Sequence, residues 1–191
     1  MKTMAAGLSL VLLVGFAFWI LHRGKKQVTE KEFKTTDEFI QYLAGYAVKD
    51  ASEANHVRLD FSIDSIKSVE QILAQVHDQY AKEPTSISAD GLARAYGAYV
   101  GEVIGRSNPG ARWQKGDEMG EATYPIVWGP GHSYPMAWCY RRITNGPVDN
   151  VWDKYNVLKE QKTGQLHVSG PRVVGDSHVW AQYSRVDGKK R

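Results

Sequence analysis

One cysteine, Cys139, in 191 residues rules out an intramolecular disulfide, so nothing in the chain argues for an oxidising compartment. Metal-ligand spacing is absent too. His132, His167, Asp176 and His178 are scattered, and a metal site built from them would have to be assembled by the fold; no metal and no cofactor is expected. A phosphate cradle is missing, because Gly129-Pro130-Gly131 lacks the further glycine and the lysine that would hold a phosphate. Clustered positive charge is missing as well. Of 24 Lys and Arg, seven (Lys2, Arg23, Lys25, Lys26, Lys189, Lys190 and Arg191) flank an N-terminal apolar run or end the chain. The body between them keeps 17 basic residues against 21 acidic ones, which excludes sequence-independent nucleic-acid binding. There is no internal repeat and no low-complexity segment.

What the chain does have is apolar mass: 42% hydrophobic residues, with six Trp and ten Tyr, enough for the core of one ordinary domain. It also has one long uncharged run, residues 4–21. As a helix these residues extend about 27 Å, close to the roughly 30 Å of bilayer hydrocarbon. A cleaved signal peptide is the rival reading, but a small-residue cleavage site does not follow. Trp19 and then Arg23, Lys25 and Lys26 form an interfacial anchor pattern. The expectation is a single-pass anchor in a bacterial inner membrane, residues 1–26 with their basic flank, followed by a charged linker over 27–34. Three basic residues after the run, against Lys2 before it, place the body in the cytoplasm, with the periplasm as the alternative.

Thr35 and Glu38 stand at capping-box spacing ahead of Phe39, Ile40, Leu43, Ala44 and Ala47, predicting a helix that the polar residues 50–55 bring to an end. A second helix is predicted from a Ser62 cap, with Asp64 in its first turn, to about Tyr80; Ile66, Val69, Leu73, Val76 and Tyr80 form its buried stripe. Residues 88–106 carry Gly97, Gly101 and Gly105 at four-residue spacing, hence on one helix face. Each costs roughly 0.8 to 1 kcal/mol relative to alanine, so something must pack closely against that face. Leu92, Tyr96, Tyr99, Val100, Val103 and Ile104 fill most of the rest, leaving Arg94, Glu102 and Arg106 as a narrow polar edge. This reads as the central helix of the domain.

Leu59-Asp60-Phe61-Ser62, Ser65, Val69 and Leu73, together with Gly97, Tyr99, Gly101-Glu102-Val103-Ile104, Arg106 and Trp113, resemble a family of small, functionally uncharacterised bacterial domains. That family pairs an LD-x-S helix start with a G-x-Y-x-GEVI helix and a tryptophan-bearing strand. The resemblance covers residues 59 to about 158 and implies a fold rather than an activity.

Beyond the turn at 107–110 the pattern changes to strand. Arg112-Trp113-Gln114 is short and extended, 115–122 is a polar loop, and residues 124–128 and 133–141 are predicted to form a hairpin around 129–132. In its second strand Tyr134, Met136, Trp138 and Tyr140 would share a face opposite Cys139. Pro147 opens a helix over 148–160 with Val151, Trp152, Tyr155 and Leu158 inward, and residues 165–168 and 178–183 are two further strands. The expected class is α+β: a transmembrane helix, then a single domain over 35–186 of about four helices and a small, mainly antiparallel sheet, with a basic tail at 187–191.

A nucleophilic Cys139 with His132 as base has no further support, since a lone cysteine in an aromatic run acts as a small hydrophobe. Glu102 reads as an i, i+4 salt bridge to Arg106. An acid–base role for it would need a companion such as Asp117, Glu118 or His132. Glu102 and His132 are thus weak catalytic candidates. Trp128, His132, Tyr134, Glu102 and Arg106 are candidates for a protein-binding edge, although the aromatics also suit a core. Two functions follow: a non-catalytic, membrane-anchored module that binds another protein, such as an immunity or envelope-complex accessory factor, or a tethered hydrolase-like enzyme using Glu102 with a loop partner.

Overall fold

Thr35 Oγ1 accepts the Glu38 N–H at 3.1 Å and starts the first helix of the computed structural model, which describes residues 29–115, 124–128, 131–162, 166–173 and 179–185. The Glu38 carboxylate turns back to the Lys34 N–H, one residue outside the usual capping box. Helix α1 (Thr36–Asn55) buries the expected stripe of Phe39, Ile40, Leu43, Ala44 and Ala47. It does not end at the polar residues from Asp50 onward. Ala51 is buried, and Asp50 accepts a 2.6 Å hydrogen bond from Tyr96, so the last turns are held by the core; His56, at φ 54°, closes the helix in left-handed conformation.

Helix α2 (Ser65–Lys82) follows a turn in which Ser62 Oγ accepts the Ser65 N–H. Ile66, Val69, Leu73 and Val76 are buried as expected, joined by Ile72, whereas Tyr80 is half-buried. Helix α3 (Ala89–Ser107) is capped by Ser88 and touches α1, α2 and the sheet strand that follows, with Tyr96 and Tyr99 fully enclosed. The glycine-bearing helix is therefore central. Strands β1 (Arg112–Trp113), β2 (Ile126–Trp128) and β3 (Gly131–Ser133) form an antiparallel sheet in that order, with Trp113 opposite Ile126 and Val127 opposite His132.

The predicted strand over 133–141 is instead a helix. Only Ser133 belongs to β3, and α4 (Pro135–Asn145) begins two residues later. Large residues at 134, 136, 138 and 140 imitate a two-residue period. Beyond Pro135 at its start, α4 buries Met136, Cys139, Arg142 and Ile143, and their spacing is helical. Pro135 occupies the first helical position, where a missing N–H is harmless. Cys139 is accordingly a buried residue of a helix, not of a strand. Gly146 ends α4 at φ 85°, where a Cβ would also meet the His77 ring. His77 in turn bonds through Nδ1 to the Ile143 carbonyl at 2.8 Å, tying α2 to α4.

Residues 30–32, placed in the linker by the sequence, form a 3-10 turn fastened to the rest of the fold by Glu30. Its carboxylate accepts from Thr36 Oγ1 at 2.7 Å and Tyr124 Oη at 3.1 Å, and Lys115 Nζ stands 3.4 Å away. Burial works to raise the carboxyl's pKa, but the bonds from Thr36, Tyr124 and Lys115 outweigh it and hold the group below the usual glutamate range. With the folded value depressed, the network's contribution is present above the unfolded pKa of about 4.3 and is lost as the pH falls through the folded value. Urea midpoints measured from pH 6 to pH 3 should fall further for the wild type than for Glu30→Gln, by on the order of 1 kcal/mol. Parallel curves would show that Glu30 does not fasten the turn.

The second compact unit starts at Val151. Helix α5 (Val151–Lys162) begins three residues later than expected, because Pro147–Asp149 is a separate 3-10 turn; Val151 and Tyr155 are buried, Trp152 and Leu158 half-buried. Strands β4 (Leu166–Val173) and β5 (Val179–Arg185) pair antiparallel with an irregularity between Ser169 and Arg172, and both reach further than the sequence predicts. Among the described residues the chain is thus α+β, with four of its five α-helices and a small three-stranded antiparallel sheet in its first unit. No helix among them is long and apolar enough to cross a membrane. The proposed anchor over 4–21, the loop residues Asp117 and Glu118 and the tail at 187–191 lie outside the described residues.

Candidate functional site

Of the residues quoted for the resemblance, Phe61, Ser65 and Tyr99 meet one another, Arg106 covers Phe61, and Gly101 and Glu102 meet Trp113. Phe61 adopts φ 61°, a left-handed conformation costly for an aromatic residue, and its N–H donates to Tyr99 Oη at 2.7 Å. The same phenol shares a 2.6 Å hydrogen bond with Ser65 Oγ, and burial pushes its pKa up despite those two bonds. The Phe61 and Tyr99 rings lie 4.7 Å apart, and the Arg106 guanidinium sits 3.6 Å from the Phe61 centroid. One turn earlier on α3, Glu102 accepts from Trp113 Nε1 at 3.0 Å, while the indole covers Gly101. The expected Glu102–Arg106 salt bridge is therefore not what either group makes. An indole N–H and an aromatic face, both brought by distant segments, take the two side chains apart. The cluster fastens the 59–62 turn and β1 to the central helix.

Little of this resembles an acid–base centre. His132 is exposed and pairs through Nε2 with Gln114 Oε1 at 3.2 Å, while Glu102 is engaged by the neighbouring Trp113, so each weak catalytic candidate is held by its own structural partner. Trp128 is buried, and its Nε1 donates to Ser133 Oγ at 2.8 Å, closing the β2–β3 hairpin from inside. Tyr134 is half-buried at the N-cap of α4. Of the five binding candidates, Arg106 and His132 are exposed, Glu102 and Tyr134 partly so, and Trp128 is enclosed. No group of three His, Cys, Asp or Glu among the described residues could hold a metal ion. Of the four scattered candidates, Asp176, His178 and the His167 side chain fall outside that description.

Aromatic and arginine side chains outside the Phe61–Tyr99 cluster stand on helices α1, α3 and α4. Tyr42 on α1 is 45% exposed and Tyr140 on α4 is 44% exposed. Tyr42 leads inward through Phe33, 5.2 Å away, to Phe39, a further 5.4 Å on, and the Arg94 guanidinium stands 5.4 Å from the Phe39 centroid. Arg94 then lines a cavity of about 310 Å³ between α3 and α4, with Ala93, Met136 and Ala137 as apolar walls and Tyr140 and Arg141 beside them. The sequence signals part of this, since Tyr42 and Tyr46 fall off the buried stripe of α1 and Arg94 lies on the polar edge of α3. Tyr140 and Arg141 are invisible as long as α4 is read as a strand.

The described residues thus form an α+β fold with a helix-centred core, exposed tyrosines on α1 and α4, and an arginine-lined opening between α3 and α4. Compared with family models, curated proteins and solved structures, the chain matches none.

Proposed function

We propose that this chain is a non-catalytic, membrane-tethered module that binds another protein, an immunity or envelope-complex accessory factor of a bacterial inner membrane. The single observation that carries the reading is the pair of exposed tyrosines, Tyr42 on α1 and Tyr140 on α4, together with Arg94 and Arg141 at the α3–α4 opening, because tyrosine and arginine dominate the energetics of protein interfaces. Two features of the sequence support it: the uncharged run over 4–21 with its basic flank, and a body with slightly more acidic than basic residues. Residues suited to acid–base work, Glu102 and Tyr99, are engaged in bonds that hold the fold. The charge bias around the run puts the body in the cytoplasm.

The test places a photo-crosslinking amino acid at Tyr42 or Tyr140 of the full chain in its native membrane, with Lys67 on α2 as the control site. One discrete protein adduct is expected from Tyr42 and Tyr140 and none from Lys67. Equal labelling at all three sites, or none, would sink the module reading. Loss of a cellular phenotype in a folded Glu102→Gln variant that keeps its adducts would favour the tethered enzyme.

A further inference from the structure

The cavity between α3 and α4 carries a charge imbalance that its own lining does not cancel. Two arginines, Arg94 and Arg141, and one aspartate, Asp90, line it together with Ala93, Met136 and Ala137. Arg94 Nε is shut off from solvent and has no acceptor among the described residues. That atom is closed off from an incoming group, so what the opening offers an anion is the formal excess of one positive charge among its lining residues.

We propose that this cavity receives the carboxylate side chain of an Asp or Glu from the protein partner, an inference that rests on the module reading above. Size supports a side chain over a whole cofactor, since about 310 Å³ lies at the lower end of the range for ligand cavities. Chemistry separates a carboxylate from a phosphate. The net excess at the site is one positive charge, which matches a monoanion, while a phosphate near neutral pH carries almost two negative charges and would meet Asp90. Apolar walls suit the methylene stem of an acidic side chain, and Met136 adapts its shape to what enters. The planar guanidinium of an arginine can donate two parallel N–H bonds to a carboxylate, and Tyr140 in the lining contributes an amphipathic ring of the kind that surrounds such anchors.

The probe is a library of random displayed peptides, selected on the full-length chain in detergent. Arg141 is exposed, so Arg141→Glu leaves the fold intact, and an unchanged melting temperature verifies that before binding is read. Selected peptides should share one Asp or Glu flanked by apolar residues. Changing that acid to its amide, or using the Arg141→Glu chain, should weaken binding about tenfold or more. A lysine in place of the acid should restore binding to Arg141→Glu, and the Met136 methyl resonance should shift on addition of the original peptide. The proposal is overturned if no peptide is enriched, if the selected peptides share no acid, or if they bind Arg141→Glu equally well. It is also overturned if inorganic phosphate or phosphatidylglycerol vesicles displace them at concentrations where acetate does not, which would mark a phosphate or lipid-headgroup site. Adducts at Tyr42 that persist in Arg141→Glu while the acid dependence is absent would retire this pocket and leave the module reading standing.

Discussion

Gly97→Ala should lower the stability of this protein by about 3 kcal/mol, although alanine gains up to roughly 1 kcal/mol over glycine in a helix interior. A Cβ at position 97 would come closer than 3.0 Å to the backbone N and Cα of Met136, a separation that real Cβ atoms do not show. Backbone atoms at the start of α4 cannot rotate away, so α3 and α4 would have to separate. For a chain of this size the melting temperature should drop by about 6 to 12 °C. Gly101 meets the Trp113 ring instead. Its replacement by alanine should be milder, because the indole can swing aside at the expense of its bond to Glu102, while Gly101→Leu should be as severe as Gly97→Ala. Gly105 supplies the contrast: the nearest atom to an added Cβ is Ile126 Cδ1 at 3.9 Å, ordinary contact, so Gly105→Ala should stabilise by up to about 1 kcal/mol. Calorimetry on the three alanine variants checks the order. Equal melting temperatures for Gly97→Ala and the wild type would mean that α4 does not approach α3 through this position.

The second large effect concerns the ion pair between Arg142 on α4 and Glu70 on α2, whose side chains are 5% and 12% exposed. Arg142→Met should cost about 3 to 5 kcal/mol, since it strands a nearly buried carboxylate without its guanidinium. The double variant Arg142→Met/Glu70→Leu should recover most of that loss, because two apolar side chains need no desolvation of charge. Arg142 Nη1 has no acceptor even in the wild type, which further favours the apolar replacement. Urea midpoints for the two single variants and the double variant complete the cycle. If Arg142→Met alone is neutral, the pair does not join α2 to α4.

Local chemistry determined a good deal of this protein. Thr35 and Ser88 start α1 and α3 through the hydrogen bonds that their side chains can reach, and the stripes of α1 and α2 follow the helical period. Gly97 and Gly101 announced close packing before any partner was known, because each is costly in a helix interior. The third glycine of the face, Gly105, has no close neighbour, and its spacing misreads it as part of the same contact. The sequence also showed where chemistry was thin, in its lone cysteine, its scattered histidines and its missing phosphate loop.

Tertiary structure decided the rest. Residues 134–141 are rich in large side chains at alternate positions, and over so short a stretch the two periods compete; burial of Ile143 and the acceptance of Pro135 at a helix start settle it as α4. Partnerships between distant segments are likewise absent from local pattern. Glu102 turns to Trp113 and Arg106 to Phe61, and Arg142 finds Glu70, only because the fold places those groups within reach. The α3–α4 cavity belongs to the same class. Arg94 and Arg141 stand 47 positions apart in the chain, and no local period relates them; only the packing of Gly97 against the first turn of α4 sets them at one opening.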